Sequence, residues 1–446
     1  MDHQRRYLSL CLVLSVAPAW AGNAAYEFNA GIGQTDNVTR VESNPVDDTI
    51  ASAGLRFSYD ERSSRLEADV VGNVGYYEYL EDTYDSELLG NIAADLSAAI
   101  VSDTFYWKLS DNFGQVLNDP FTPATPDNRE ILNYLSTGPE AKFRLGTQME
   151  LELGARYAMA DYEDSPLDSA TVLFEGGLTR SISKGSEFGL FLRHQQLEYD
   201  DAPPGFDYDQ SQAFLRYNAL GSRTRVRIDV GVDEIDREAA RSTLSEPLFR
   251  LEAERRMSNR STVTLSGIRQ FDSSGSAFAS EQSGDGISLD TSASRQAFDP
   301  FLHEGLRLGW RYTGNRTDFG LGANWSQQTY ENRRDFDQTL TSFSASLRRA
   351  FTPNLSMTLD ISDGRSEFEV PGADYQDLTT GISLEWRMSR ALVTRLSYSH
   401  GERDSDTVGG NYDENRIWLS IGYGRGEPRD RMLGTEFAVD RAAGAE

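Results

Sequence analysis

The sequence predicts an all-β fold: a transmembrane, antiparallel, up-and-down β-barrel of about 20 strands, with about 18 strands as the alternative. Two patterns predict it. Apolar and polar residues alternate with a period of two along many short segments, and the connections between these segments are short and long in turn. A closed barrel is the architecture that both patterns favour.

Residues 1–21 are predicted to be a signal peptide. Arg5 and Arg6 precede an apolar run from Leu8 to Ala17, and Ala19-Trp20-Ala21 suits signal peptidase. The rest of the chain is expected to form one barrel over residues 22–425, followed by a tail over 426–446. The only cysteine, Cys11, lies in the signal, so the mature chain is expected to have no disulfide.

Composition excludes two classes of protein. The formal net charge of -27 argues against nucleic acid as a partner, because binding its phosphates needs clustered Lys and Arg. Beyond the signal, no apolar run approaches the roughly 18 residues of a membrane-spanning helix, which excludes a helical membrane protein. A barrel that exposes an apolar residue at every second position is compatible with a hydrophobic content of 38%.

The alternation is clearest in RTRVRIDVGVDEID, residues 223–236. Val226, Ile228, Val230 and Val232 share one face of this predicted strand, and charged residues and Gly231 occupy the other. The same period recurs over residues 148–159, 354–362, 381–388, 391–400 and 416–424. The first strand is expected near residues 26–37 and the last near 414–425.

The connections fall into two alternating sets. Short ones with turn-forming residues are predicted at 60–63, 102–103, 146–147, 184–185, 221–222, 258–259, 314–315, 353–354 and 389–390. Longer, acidic ones are predicted at 37–47, 81–85, 117–127, 162–167, 200–206, 236–243, 272–299, 331–334, 369–374 and 403–411. Short periplasmic turns and longer extracellular loops are typical of outer-membrane barrels. We therefore expect export by the Sec route to the outer membrane of a Gram-negative cell.

A soluble β-sandwich is the competing fold. About 20 antiparallel strands rarely form one sandwich, and such a sheet would need its edges protected. Closing the sheet into a barrel pairs the backbone N–H and C=O groups of every strand, which a lipid environment requires. The barrel is therefore preferred.

Strand parity assigns side chains to the two faces of the barrel wall. The residues predicted to face a water-filled lumen are Glu67, Asp69, Lys108, Glu150, Glu152, Arg156, Glu187, Arg193, Arg225, Arg227, Asp229, Asp318, Asp360, Glu385, Arg387, Arg395 and Arg416. Those predicted to face lipid are Val226, Ile228, Val230, Val232, Leu151, Leu153, Leu359 and Leu419. The lumen charges either pair across neighbouring strands or form separate arcs that select solutes.

No catalytic, cofactor-binding or metal-binding residue is predicted. His194 and His400 share parity with lipid-facing residues near the loop ends of their strands, where outer-membrane phospholipases keep a Ser-His couple. A hydrolase with one of these histidines as base is one alternative, although nothing nearby in the sequence compels a triad. We interpret the acidic loops as solvated surface loops. The alternative is that they bind divalent cations that bridge lipopolysaccharide.

The segment 272–300 is long and rich in small polar residues. Loops of this length are usually mobile, but an inward-folded loop narrows the pore of general porins. We expect this segment to fold partly into the lumen, so that deleting it raises the conductance of the channel.

The stretches AGIGQTDNVTR (30–40) and DDTIASAGLRFSYDERSSRLEADVVGNVGYYEYLEDTYDSE (47–87) resemble the family of outer-membrane β-barrel porins found with exopolysaccharide export operons, including the PEP-CTERM-associated group. The resemblance extends, as strand spacing, to about residue 425. It implies passage of polysaccharide or other solutes and supplies no catalytic residues. One departure is that Tyr423 is followed by a tail, whereas many outer-membrane proteins end on a terminal aromatic residue read by the assembly machinery.

The sequence therefore predicts a passive channel without a cofactor, plausible as an export-associated porin. The alternatives are the lipid hydrolase and a closed structural barrel. Expected partners are outer-membrane lipid, lipopolysaccharide and the barrel assembly machinery, together with polysaccharide or periplasmic export components.

Overall fold

The computed structural model describes residues 22–201, 205–237, 242–283 and 297–428. The predicted signal peptide and all but the first three residues of the predicted tail lie outside this range. The described chain is almost entirely β-strand.

The strands have an average length well above what a bilayer requires. The first ten are β1 (Asn23–Thr35), β2 (Asp48–Arg62), β3 (Leu66–Tyr79), β4 (Glu87–Val101), β5 (Phe105–Leu117), β6 (Arg129–Leu145), β7 (Met149–Tyr162), β8 (Ser169–Ser183), β9 (Ser186–Tyr199) and β10 (Tyr208–Leu220). The others are β11 (Thr224–Arg237), β12 (Ser242–Ser258), β13 (Ser261–Asp272), β14 (Phe301–Thr313), β15 (Thr317–Tyr330), β16 (Gln338–Thr352), β17 (Leu355–Phe368), β18 (Tyr375–Arg387), β19 (Leu392–Ser405) and β20 (Tyr412–Arg425). One α-helix, α1 (Ser274–Ser283), follows β13, and 3-10 turns lie at Pro126–Asn128 and Arg334–Phe336.

The sheet closes on itself. Each strand pairs antiparallel with its neighbour in sequence, and β1 pairs with β20, for example Phe28 with Tyr423 and Ile32 with Leu419. The predicted fold class is confirmed: the described chain is a closed antiparallel barrel of 20 strands. The first strand begins three residues before its predicted start and ends two residues earlier, at Thr35.

Within the described ranges, no helix is both long and apolar enough to cross a membrane.

Short and long connections alternate around the two ends of the barrel. The short ones follow β2, β4, β6 and every second strand thereafter, and Gly146 takes a positive φ of 84° in the turn after β6. The predicted turn at 60–63 is displaced, because β2 continues through Arg62 and the connection is 63–65. The end of the barrel that carries the long connections is named the loop end, and the opposite end is named the turn end.

The two faces of the wall differ in composition. Val230 and Val232 are 53% and 51% exposed, whereas Asp229 and Asp233, which alternate with them, are 0% exposed. Asp233 accepts a hydrogen bond from the backbone N–H of Phe271 on β13, which is not adjacent to β11, so this face of β11 is the inner face. Most of the packed apolar clusters in the described residues lie on that inner face toward the loop end, for instance Leu197, Tyr208, Ile235 and Phe271. Phe191, Phe214 and Leu248 form one nearer the middle of the wall.

Candidate functional site in the barrel lumen

The end of β13 parts from β12 and bends toward the lumen, while it stays paired with β14 as far as Asp272 and Phe301. β12 pairs with β13 only as far as Phe249 and Arg269, so the two strands part there. The backbone N–H of Phe271 donates to Asp233 Oδ2 of β11 at 2.9 Å, and Gln210 Nε2 of β10 donates to the carbonyl of Phe271 at 3.1 Å. The chain therefore enters the lumen over the inner face of β10 and β11.

Helix α1 continues this path to another part of the wall. Phe278 is 1% exposed and packs in a cluster with Val116, Leu132 and Tyr162, which belong to β5, β6 and β7. Ala277 packs instead against Phe301 and Tyr330 at the start of β14 and the end of β15. The helix thus bridges two separate parts of the inner face.

The residues just before β14 are also held in place by contacts with the wall. Asp299 is 1% exposed and accepts from Arg237 Nη2 at 2.5 Å and from the backbone N–H of Asn332 at 2.8 Å. The ring of Phe298 lies 5.1 Å from that of Tyr199. These contacts agree with the expectation that residues 272–300 fold partly into the lumen; positions 284–296 lie outside the described residues.

A cavity of about 290 Å³ lies between α1 and the wall. Its polar lining is dominated by amides and hydroxyls, with one arginine and one aspartate: Ser110, Asn112, Tyr134, Arg193, Gln195, Gln210, Gln212, Gln270, Asp272, Ser276 and Ser280. These residues come from β5, β6, β9, β10, β13 and α1, so the cavity exists only because α1 crosses the lumen.

The amides are held by a connected hydrogen-bond network. Gln210 Nε2 donates to both carboxylate oxygens of Asp233, at 2.8 and 2.9 Å, and Gln212 Nε2 donates to Oδ2 at 3.0 Å. Arg250 donates at 2.6 Å to the side-chain oxygens of both Gln212 and Gln270. Because every link is fixed at both ends, the cavity is preorganised for hydrogen bonding.

Beside this network the inner face carries arginines stacked on aromatic rings. The rings of Phe191 and Phe214 are parallel within 7° at a centroid distance of 5.5 Å. The guanidinium of Arg216 lies 4.2 Å from the Phe191 centroid, and that of Arg250 lies 5.2 Å from the Phe214 centroid. Stacking restricts these long side chains while leaving their charge in place.

The ladder places the residues that sequence parity assigned to the lumen on the inner face, opposite the exposed apolar side chains. Several form ion pairs on the same or a nearby strand: Lys108–Glu140 at 3.8 Å, Arg156–Glu140 at 3.1 Å, Arg193–Glu175 at 2.5 Å, Arg227–Asp229 at 3.8 Å, Asp318–Arg348 at 3.9 Å, Arg387–Glu385 at 3.2 Å, Arg395–Glu385 at 3.0 Å and Arg416–Glu414 at 2.6 Å. Glu67, Asp69, Glu150, Glu152, Glu187, Arg225 and Asp360 occupy inner positions of β3, β7, β9, β11 and β17. The wall thus carries both signs of charge in close proximity.

The apolar set lies on the outer face. Leu153, Leu359 and Leu419 are 46%, 37% and 44% exposed, and Val226, Ile228 and Leu151 occupy outer positions of β11 and β7.

A second loop narrows the loop end. Arg40 Nη1, in the connection after β1, donates to the carbonyl of Ala124 at 2.9 Å, and Arg40 Nε donates to Glu414 at 3.0 Å. The ring of Phe121 lies 5.1 Å from that of Phe368 at the end of β17. The connection 118–128 therefore reaches across the barrel mouth.

The two histidines weighed as bases lie on the outer face. His194 Nδ1 is 3.0 Å from Ser211 Oγ. The nearest carboxylate in register, Glu234, pairs with Ser211 and not with His194. In a catalytic triad the acid orients the histidine, so this order of groups does not reproduce the triad.

His400 belongs to a different cluster. Its Nδ1 is 3.0 Å from Asn415 Oδ1, and ligand atoms of His400, Glu402 and Asp413 lie within 4.8 Å of one another. These residue types can hold a metal ion. The trio is on the outer rim and is separate from the lumen cavity.

Sequence reasoning missed the amide network. Gln210, Gln212, Phe214 and Arg216 occupy alternate positions of DQSQAFLRYN, so parity alone could have placed them on the inner face. The alternation pattern does not predict the inward path of β13, which brings Gln270 and Asp272 close to these residues of β10.

Comparison with known proteins agrees with a porin-type barrel. Residues 305–424, which run from within β14 to near the end of β20, match the family model described as "Putative beta-barrel porin 2". A search of curated protein sequences gives no significant match. The chain is therefore similar to this porin family over its C-terminal part.

Solved structures similar to the chain include a siderophore receptor and an outer membrane protein. The siderophore receptor PirA from Pseudomonas aeruginosa is 11% identical, with 91% of this chain and 81% of that chain covered and a TM-score of 0.44. The outer membrane protein opdK from Pseudomonas aeruginosa is 13% identical, with coverages of 90% and 99% and a TM-score of 0.33. The architecture of this chain is established by its own strand pairing.

Proposed function

We propose that this protein is a passive channel in the outer membrane of a Gram-negative cell. The observation that carries the proposal is the division of the closed wall into an inner face with charges and amides and an outer face with exposed apolar side chains. Val230 and Val232 on the outside, against Asp229 and Asp233 on the inside, represent this division. In this arrangement lipid contacts the apolar face and water fills the lumen.

The path for a solute through the barrel lumen is narrow. Helix α1 crosses the lumen and the connection 118–128 narrows the mouth, so a solute passes between these segments and the wall. Restriction of this kind selects solutes by size and by hydrogen bonding.

The solute class that fits the cavity is a polyhydroxylated one, such as a sugar unit of a polysaccharide. Amide and hydroxyl groups present both donors and acceptors to solute hydroxyls, and Gln195, Ser276 and Ser280 contribute such groups to the lining of the cavity. A sugar that passes the cavity replaces its hydrogen bonds to water with hydrogen bonds to these groups. This supports a role in exopolysaccharide export, with periplasmic export components as partners.

The remaining parts of the proposal concern biogenesis. A signal over residues 1–21 directs export by the Sec route, and the assembly machinery inserts the barrel among lipid and lipopolysaccharide. The chain needs no cofactor for passive transport.

The test is single-channel recording of the refolded mature chain in a planar bilayer, with neutral oligosaccharides added to one side. Discrete openings that sugars block in a concentration-dependent way are expected. The variant Gln270→Ala should weaken the block, whereas Gln196→Ala, an exposed amide on the outer face of β9, should not. A silent membrane with a correctly folded barrel would instead favour a closed structural barrel.

A further inference from the structure

The inner wall is more open on one side of α1 than on the other. Helix α1 joins the cluster on β5 to β7 to the cluster at β14 and β15, so β8 to β13 lie behind it. On that side the inner residues are tightly packed, as the exposures of 0% for Asp229 and 3% for Gln210 show. On the other side Asn73 and Asp95, inner residues of β3 and β4, are exposed in the described part of the chain. The inner surface at the first strands therefore faces open lumen.

Two glycines of β1 place a tryptophan on this surface. Trp418 of β20 is paired with Gly33 in the ladder, and both are inner residues. A Cβ built on Gly33 would lie 2.5 Å from Trp418 Cζ3, and one built on Gly31 would lie 2.6 Å from its Nε1. The indole therefore rests on the backbone of β1 at both glycines. Because β1 covers one side of the ring, the part of Trp418 that stays exposed lies on the side of the lumen.

Tyr77 adds a second ring beside the indole. It occupies an inner position of β3, its ring centroid is 6.2 Å from that of Trp418, and the two ring planes are inclined by 49°. Both side chains are half-buried. Among the described residues, neither the indole N–H nor the phenol hydroxyl has a hydrogen-bond partner, and neither is enclosed. The two rings thus present apolar surface and a polar tip each to the same part of the lumen.

The wall beside the rings is low and polar. Ser52 of β2 lies between them, and Ser420 lies next to Trp418 on the inner face of β20. Toward the turn end, three of the four positions in the next inner row are glycine: Gly422, Asn29, Gly54 and Gly75. Ser52, Ser420 and Asn29 are half-buried, so their hydroxyl and amide groups are within reach of a solute.

We propose that Trp418 and Tyr77 form a stacking platform for a sugar ring in the lumen. The C–H bonds on the face of a sugar ring pack against the negatively polarised face of an aromatic ring, while the sugar hydroxyls point outward from the edge. Asn29, Ser52 and Ser420 are the partners for those hydroxyls, since their groups both donate and accept. The platform is separate from the amide cavity beside α1. The inference rests on the proposed passage of polyhydroxylated solutes and adds a second contact for them.

The experiment is calorimetric titration of the refolded mature barrel in detergent with maltohexaose, a neutral glucose oligomer. The wild type should bind it. Trp418→Leu keeps an apolar side chain but removes the ring, so Kd should rise about tenfold, equivalent to about 1.4 kcal/mol. Trp418→Phe should recover part of the affinity, because a smaller ring remains. The matched control is Trp325→Leu, which removes an exposed tryptophan from the outer face of β15 and should bind as the wild type does.

The glycines give a second comparison. Gly33→Ala keeps Trp418 but pushes the indole off β1, so it should weaken binding as Trp418→Leu does, with heat-modifiable gel migration showing that the barrel is folded. Gly401→Ala is the control, because a Cβ there meets no atom within 4 Å.

Equal affinity in the wild type, Trp418→Leu and Gly33→Ala would overturn the inference, and so would a wild type that does not bind maltohexaose. Conductance of the same samples in planar bilayers separates the two proposals. A conducting barrel that does not bind the sugar refutes the platform alone, and a silent barrel that binds it through Trp418 refutes the channel alone.

Discussion

Arg216 and Asp229 form a two-pronged ion pair between β10 and β11, with Nε–Oδ1 at 2.8 Å and Nη2–Oδ2 at 2.9 Å. The carboxylate is 0% exposed and also lies 3.4 Å from Arg250 Nη1. With Arg227 at 3.8 Å, this carboxylate compensates three guanidinium groups, and those of Arg216 and Arg250 also stack on Phe191 and Phe214. The position of the arginines in the wall depends on Asp229.

Replacing Asp229 by asparagine should destabilise the barrel. The change leaves Arg216 and Arg250 without their shared carboxylate on a largely buried part of the inner face, and removing one partner of a buried ion pair costs about 3 kcal/mol. Urea unfolding of the barrel in lipid vesicles measures the free energy of unfolding. Asp318→Asn is the control, because its pair with Arg348 is long, at 3.9 Å, and half-exposed, so a loss below about 0.5 kcal/mol is expected. Equal losses would contradict the role given to Asp229.

The strands were predictable because each carries its own signal. In β11, Val226 to Val232 alternate with charged or small residues, and that local pattern fixes both the strand and its faces. Tight turns such as the one at Gly146 add a second local signal. Boundaries shifted by a few residues, as at Arg62, because strand ends extend beyond the bilayer, where alternation no longer constrains the chain.

Helix α1 and the cavity could not be predicted in the same way. The sequence SGSAFASEQS has no apolar stripe, and isolated helices of this length are marginal in water. It is the barrel wall that supplies the partner for Phe278, and that partner lies in β5 to β7, far away in sequence. Likewise, Gln212 and Gln270 meet through Arg250 only once β10 to β13 lie side by side in the sheet.

Phe278→Ala should loosen α1 without unfolding the barrel. Removing a buried phenylalanine side chain costs about 3 kcal/mol, and here the loss is confined to the cluster with Val116, Leu132 and Tyr162. Single-channel recording should show a higher mean conductance and more current noise, while urea unfolding of the barrel stays close to that of the wild type. Phe143→Ala, which removes an exposed phenylalanine from the outer face of β6, serves as the control. Unchanged conductance in Phe278→Ala would show that α1 does not restrict the path.

Gly231→Ala should impair folding of the wall. A Cβ at this position of β11 would lie 2.0 Å from the carbonyl oxygen of Ala213 and 2.6 Å from the Cα of Phe214, both of which belong to the backbone of β10. Overpacking of this kind costs about 3 kcal/mol, and heat-modifiable gel migration should show a lower folded fraction. At Gly154 the nearest atom to such a Cβ is 3.8 Å away, so Gly154→Ala should fold normally. A normal yield for Gly231→Ala would mean that β10 and β11 can separate locally.

Arg40→Ala should release the connection 118–128 from the barrel mouth. The substitution removes the donor to Ala124 and the ion pair with Glu414. Hydrogen–deuterium exchange at residues 119–128 should become about tenfold faster, equivalent to about 1.4 kcal/mol of local stability. Arg333→Ala is the comparison, because Arg333 pairs with Asp335 in another loop. If residues 119–128 exchanged at the wild-type rate in both variants, the contacts of Arg40 would not hold this connection at the barrel mouth.

Arg395→Gln should shift the channel toward cations. Arg395 bridges two carboxylates on the inner face: Nη1 is 2.5 Å from Glu27 Oε1 and Nε is 3.0 Å from Glu385 Oε2. Without the guanidinium these two negative charges attract cations into the lumen, and the cation-to-anion permeability ratio should rise on the order of twofold. The reversal potential under a KCl gradient measures this ratio. Arg390→Gln, in the short turn before β19, removes the same charge outside the lumen and should leave the ratio unchanged, so an equal shift in both variants would trace the effect to overall charge and not to Glu27 and Glu385.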